Sequence, residues 1–147
     1  MRQSLVKLFN RDLNKLKEEL QLYKNESNLW KVEKAITNSA GNLALHLVGN
    51  LNTYIGANLG NSGYIRQRDL EFSNKNVPLS DLISLIEDCR FTVEKVLESL
   101  SNQDLKKEYH QNPFKDTMTT EYFLLHLLAH LSYHLGQINY HRRLVVS

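Results

Sequence analysis

The sequence predicts an all-α four-helix bundle, and three observations lead there. Helical apolar spacing recurs four times along the chain. Glycine and proline are scarce, at 6 and 2 of 147 residues, so few breakers interrupt those stretches. No run that alternates apolar and polar residues between turn signals is convincing, so little or no sheet is expected.

The first helix is carried by Val6, Phe9, Leu13, Leu16, Leu20 and Tyr23, which step by three and four and so form a bundle seam. Lys7, Arg11, Lys15, Lys17, Glu18 and Glu19 are left for solvent. Residues Asn25 to Ile36, with Trp30, read equally as a short helix or a loop. The second helix starts near Ser39 to Asn42 and runs to about Leu59, where Gly60-Asn61-Ser62-Gly63 stops it. The third follows Pro78-Leu79-Ser80, with Ser80 as N-cap and Asp81 in the first turn. Its seam is Leu82, Ile86, Cys89, Val93, Val96 and Leu100. The fourth begins after Thr119, an N-cap, and runs to about Leu144 with Leu124, Leu128, Leu131, Leu135 and Ile138 inward. The link from Gly60 to Leu79 is long for a hairpin and can cross the whole bundle, leaving the second and third helices parallel. The link from Ser101 to Thr119 is also long and contains Asn112-Pro113. No boundary, repeat or low-complexity segment appears, so a single domain over 1–147 is expected.

The net charge is +2 and no block of like charge stands out, which argues against nucleic-acid or membrane partners. Met1-Arg2-Gln3-Ser4-Leu5-Val6-Lys7 lacks the apolar core of a secretion signal. No stretch is long and apolar enough to span a bilayer. Cys89 is the single cysteine and reads as a core residue, which excludes an internal disulfide framework. The expectation is a cytoplasmic protein.

Histidines carry the chemistry. His130 and His134 stand four residues apart on the last helix, so they share one face, one turn apart. Such a pair can grip one divalent ion from the same side. His46, on the second helix, would complete a three-ligand site with open positions, the arrangement of a reactive rather than a structural metal. His126, Gln137 and His141 continue the stripe; His126 either ligates or sits a turn below the site. His46 shares a polar stripe with Asn42, Asn50, Thr53 and Ala57, flanked by Leu43, Leu47, Leu51 and Tyr54. Polar groups beside a core face need partners, so this stripe reads as a pocket wall. His126, Gln137, Asn50 and Thr53 are therefore expected behind the ligands or in that wall. The competing reading is imidazoles that are merely hydrogen-bonded in a core, the commoner outcome for an isolated pair. His110, in a polar link, and His141, before Arg142-Arg143, read as solvated. Three imidazoles suit zinc, nickel, copper or iron. The broadly apolar last helix, with Ala129 and Gly136, implies a central position or a covering partner chain.

The string Leu-Leu-Ala-His130-Leu-Ser-Tyr-His134-Leu-Gly136-Gln137-Ile138 resembles the last-helix motif of the DinB/YfiT-like superfamily. His46-Leu-Val-Gly-Asn50-Leu resembles that superfamily's second-helix histidine motif, and the resemblance covers nearly the whole chain. Tyr64-Ile-Arg66-Gln-Arg68-Asp69-Leu-Glu71-Phe72 looks like one small, largely uncharacterised branch. The resemblance implies an up-down-down-up bundle, often a homodimer, holding nickel or zinc through His46, His130 and His134. It also implies a metal-dependent thiol S-transferase that uses bacillithiol, mycothiol or glutathione on an electrophile. Leu135 departs from the bacillithiol-transferase-like members, which commonly have Arg immediately after the second histidine.

The chemistry expected of such a site follows from charge. Three neutral imidazoles leave a 2+ ion uncompensated, so a thiol or water beside it loses its proton more easily. Arg66 and Arg68 either receive an anionic co-substrate or form a surface salt-bridge set with Asp69 and Glu71. The alternatives are a non-enzymatic metal-binding stress-response module, a metal-dependent hydrolase or isomerase, and a helical interaction protein with structural histidines.

Overall fold

In the computed structural model, residues 1–145 are described. Val146 and Ser147, the last two residues of the expected domain, lie outside the described residues. Among the described residues the chain is helical, with no strand and one isolated bridge between Glu108 and Thr119. The long helices are α1 (Arg2–Gln21), α2 (Ala40–Leu51), α4 (Leu79–Ser99) and α6 (Thr120–Leu144). Short helices α3 (Arg68–Ser73) and α5 (Asn102–Lys106) lie in the two long links. A 3-10 turn at Glu26–Trp30 resolves the ambiguous segment after α1. No described helix is long and apolar enough to cross a membrane.

Local signals place most helix ends. Ser39 Oγ accepts from the Asn42 amide and Thr119 Oγ1 from the Tyr122 amide, each satisfying an amide that has no partner within its helix. Ser80 is not the cap expected of it. The chain enters α4 at Pro78, whose carbonyl takes the first turn's bonds from Asp81 and Leu82, and the Leu79 amide finds Glu26 Oε2. The α-helical bonding of α2 passes after Leu51 into a π-helical stretch, Asn52–Ala57, which continues the same rod to the turn near Gly60.

Three pairs of contacts fix the helix directions. Arg2, at the start of α1, bonds the Leu100 carbonyl past the end of α4, and Lys17 pairs with Glu87, so α1 and α4 are antiparallel. Glu19, near the end of α1, bonds Asn139 and Arg142 near the end of α6, so these two are parallel. His46 meets His130 while Tyr54 meets Phe123, so α2 and α6 are antiparallel. The order is therefore up, down, down, up, and the crossover between α2 and α4 must travel back along α2.

The seams meet in one core of leucines with Phe9, Ile55, Ile86, Cys89, Val93 and Phe123. Each fully buried leucine contributes roughly 1.5–3 kcal/mol. Two assignments on α1 shift. Leu5 takes the core position expected of Val6, which is half-buried. Glu19, expected in water, is 2% exposed because α6 packs over it and supplies Asn139 and Arg142 as partners.

Candidate metal centre

An unbroken α6 puts His130 and His134 on one face, with their Nε2 atoms 3.1 Å apart. From the facing α2, His46 brings its Nε2 to 3.3 Å from that of His130. One ligand atom from each of the three residues lies within 4.8 Å of the others. A tetrahedral ion with Zn–N bonds of about 2.0–2.1 Å holds its donor atoms about 3.3–3.4 Å apart, so these spacings suit a shared ion. His46 is buried and the other two are half-buried, which leaves the open side of the cluster toward the surface.

Proton counting supports the same fit. Glu71 Oε1 lies 3.1 Å from His46 Nδ1, and a carboxylate only accepts, so Nδ1 carries the hydrogen. Gln137 Oε1 accepts from His134 Nδ1 at 2.7 Å. Both flanking rings therefore present a bare Nε2 lone pair to His130. A single N–H on His130 satisfies one of them at most. A cation at the centre satisfies all three.

The second link supplies what stands behind His46. The crossover is tied to α2 by Asn42, whose Nδ2 donates to the Glu71 and Asn74 carbonyls at 2.9 and 2.8 Å. That places Glu71 on His46 and lays the Phe72 ring 5.0 Å from the imidazole. Arg66 then grips the Glu71 carboxylate through Nε (2.8 Å) and Nη2 (2.9 Å). Gly49 leaves the room: a Cβ there would overlap the Glu71 carboxylate. Glu71 is thus buried and Arg66 half-buried behind a ligand candidate, rather than forming a surface salt-bridge set, because the crossover folds onto α2.

Burial favours the neutral form of His130 and His46. It pushes His130 down to about 4, and the nearby His134 and His46 act in the same direction. It also lowers His46, against the opposing pull of Glu71. Neutral rings have the lone pairs that a metal needs.

The structure sorts the other expected residues. Gln137 stands behind His134, beside a cleft of about 340 Å³ lined by Ile36, Thr37, Leu43 and Tyr140. His126 is exposed, and its ring packs on Phe114 and Phe123 at centroid distances of 5.0 and 5.8 Å, outside the cluster. Thr53 turns its hydroxyl to the Gly49 carbonyl at 2.8 Å. Asn50 is buried, and its Oδ1 has no partner. Asn42 is covered by the crossover rather than lining an open wall. His110 is exposed, as expected. His141 is not solvated: Tyr23 OH donates to its Nδ1 at 2.7 Å, and its Nε2 donates to the Lys31 carbonyl at 2.8 Å. The loop after α1 covers it, which no pattern local to α6 discloses. Sequence reasoning missed Glu71 and Gly49; the available cue was an acid and an arginine five residues apart in a link otherwise too long.

A family model described as protein of unknown function (DUF1572) matches residues 3–147. Among solved structures the chain is similar to YfiT from Bacillus subtilis, described as a probable metal-dependent hydrolase with an unusual four-helix bundle topology. The TM-score is 0.78 at 18% identity, over 99% of this chain and 89% of that one, which is a likeness of fold. A comparison with curated proteins finds no match.

Proposed function

From the premise that this chain belongs to the DUF1572 family and has the YfiT-like, DinB-type four-helix bundle, we propose that it is a divalent-metal enzyme. The reaction proposed is transfer of a low-molecular-weight thiol to an electrophile. The observation that carries the metal reading is the convergence of the Nε2 atoms of His46, His130 and His134. These residues would hold the ion, with zinc or nickel the ions proposed. When bound, it favours deprotonation of a thiol or water held at an open position. The protein's own part is positional. Glu71 fixes the tautomer and ring of His46, and Gln137 does so for His134. Arg66 balances the Glu71 charge, so the cluster keeps the ion's full positive charge available.

Hydrolysis is the second reading, favoured by the likeness to YfiT, which is described as a probable metal-dependent hydrolase. The test begins with tag-free protein grown with zinc and nickel, its metal measured for wild type and for His130→Ala. A stoichiometric ion lost in the variant is expected; equal content in both sinks the reading. Bacillithiol, mycothiol and glutathione with monochlorobimane then test the transferase, and an ester and amide panel tests the hydrolase. Bound metal with no turnover in either panel would indicate a non-catalytic metal-binding module.

The proposal includes a homodimer through α6. Tyr122, Leu125, Tyr133 and Tyr140 are exposed along it at helical spacing, with Ala129 and Gly136 between them to allow close approach. A monomer in sedimentation at micromolar concentration would overturn this part.

A further inference from the structure

Among the described residues, three buried side-chain nitrogen or oxygen atoms lack a hydrogen-bond partner: Asp12 Oδ2, Asn50 Oδ1 and His130 Nδ1. Buried polar atoms are almost always paired, so each orphan calls for a physical account. Two of the three lie on the two facing helices that carry the histidine cluster. Asn50 lies on α2 one turn beyond His46, and His130 lies on the facing α6. The helices are antiparallel, with His46 opposite His130 at one level and Tyr54 opposite Phe123 at the next. Asn50, midway between His46 and Tyr54, is therefore level with the turn 126–130. It is buried at 8% exposure, whereas His126 on that turn points outward.

The two atoms are also chemically complementary. Asn50 Oδ1 only accepts. His130 Nδ1 carries the ring hydrogen whenever Nε2 offers its lone pair to the cluster. The other two histidines already have their acceptors, Glu71 Oε1 for His46 and Gln137 Oε1 for His134. His130, the ring in the middle, is the one without.

We propose that Asn50 is the positioning residue for His130. Its Oδ1 accepts the Nδ1 hydrogen, after a side-chain rotation or through one buried water, and so fixes Nε2 as the ligand atom. Each of the three histidines then has its own acceptor, two from their own or the facing helix and one from the crossover. The inference rests on the three-histidine metal reading, and its test separates the two.

Zinc affinity is measured by chelator competition for wild type, His130→Ala, Asn50→Leu and Asn50→Asp. Long-range nitrogen–proton correlation of the histidines is recorded on zinc-loaded wild type. Asn50→Leu is expected to weaken zinc binding 10–100-fold, the usual effect of losing a partner behind a metal ligand. Asn50→Asp, which keeps the acceptor, is expected to bind within a few-fold of wild type. The wild-type spectrum is expected to show His130 protonated at Nδ1 and coordinated through Nε2. Wild-type affinity in Asn50→Leu, with binding lost in His130→Ala, overturns the role of Asn50 and leaves the metal site standing. A His130 without a proton on Nδ1 also overturns it, whether or not the leucine variant folds. No zinc bound by wild type overturns the site and this inference together.

Discussion

Gly49 and Glu71 occupy complementary space: the side chain that Gly49 lacks is where the Glu71 carboxylate lies against His46. One residue is near the end of α2 and the other is in the crossover, so the relationship exists only once the chain has turned back on itself. Gly49→Ala should improve helix propensity by about 0.5–1 kcal/mol. It should nonetheless lower zinc affinity by about 10–100-fold, because the carboxylate is driven off His46. Chelator competition checks this; unchanged affinity would mean that the carboxylate has another place to go.

Cys89 should be inert in the native protein. Its thiol is fully buried on the α4 seam, and burial pushes it up to about 12, so almost no thiolate exists at pH 8. Ellman's reagent at pH 8 should label nothing in native protein and one thiol per chain in guanidinium. Rapid native labelling would show that α4 opens locally.

Glu87 on α4 pairs with Lys17 of α1 and with Arg90 of its own helix. Its hydrogen bonds to Arg90 and Lys17 lower it from the usual 4.5 to about 2. The unfolded chain therefore takes up this proton first as pH falls, and the stability that Glu87 contributes disappears between about 4.5 and about 2. The side chain is 43% exposed, so screening limits the contribution to on the order of 0.5–1 kcal/mol. Urea unfolding should show Glu87→Gln less stable at pH 6, and equal to wild type near pH 2. A gap that persists at pH 2 would assign the effect to packing instead.

Tyr23 and His141 close the end of the bundle where α1, α6 and the 26–36 loop meet. Tyr23→Phe leaves the buried Nδ1 of His141 without its donor. That should cost about 1–3 kcal/mol and lower Tm by several degrees. Zinc affinity should stay at the wild-type value, since neither residue bonds the three-histidine cluster. A parallel loss of affinity would instead couple this end to the cluster.

What was legible in the chain was whatever a helix repeats locally. The His130–His134 pair follows from spacing alone, as do the Thr119 and Ser39 caps and the Cys89 seam of α4. His46 was legible because a histidine on an otherwise apolar face needs a partner. Ser80 was misplaced by two residues because a proline carbonyl starts a helix as well as a serine side chain marks one. Glu19 and His141 looked exposed by composition and are buried, because their partners come from about 120 and 110 residues away in sequence.

By itself, then, the sequence determined the four helices, their inward faces and one turn of paired imidazoles, because each depends on a repeat within a single helix. Tertiary structure alone decided which acid stands behind His46 and which glycine makes room for it. Those relations depend on the crossover running back along α2 and on the antiparallel register of α2 with α6. No local period encodes either; both are set by how the buried faces of separate helices fit together.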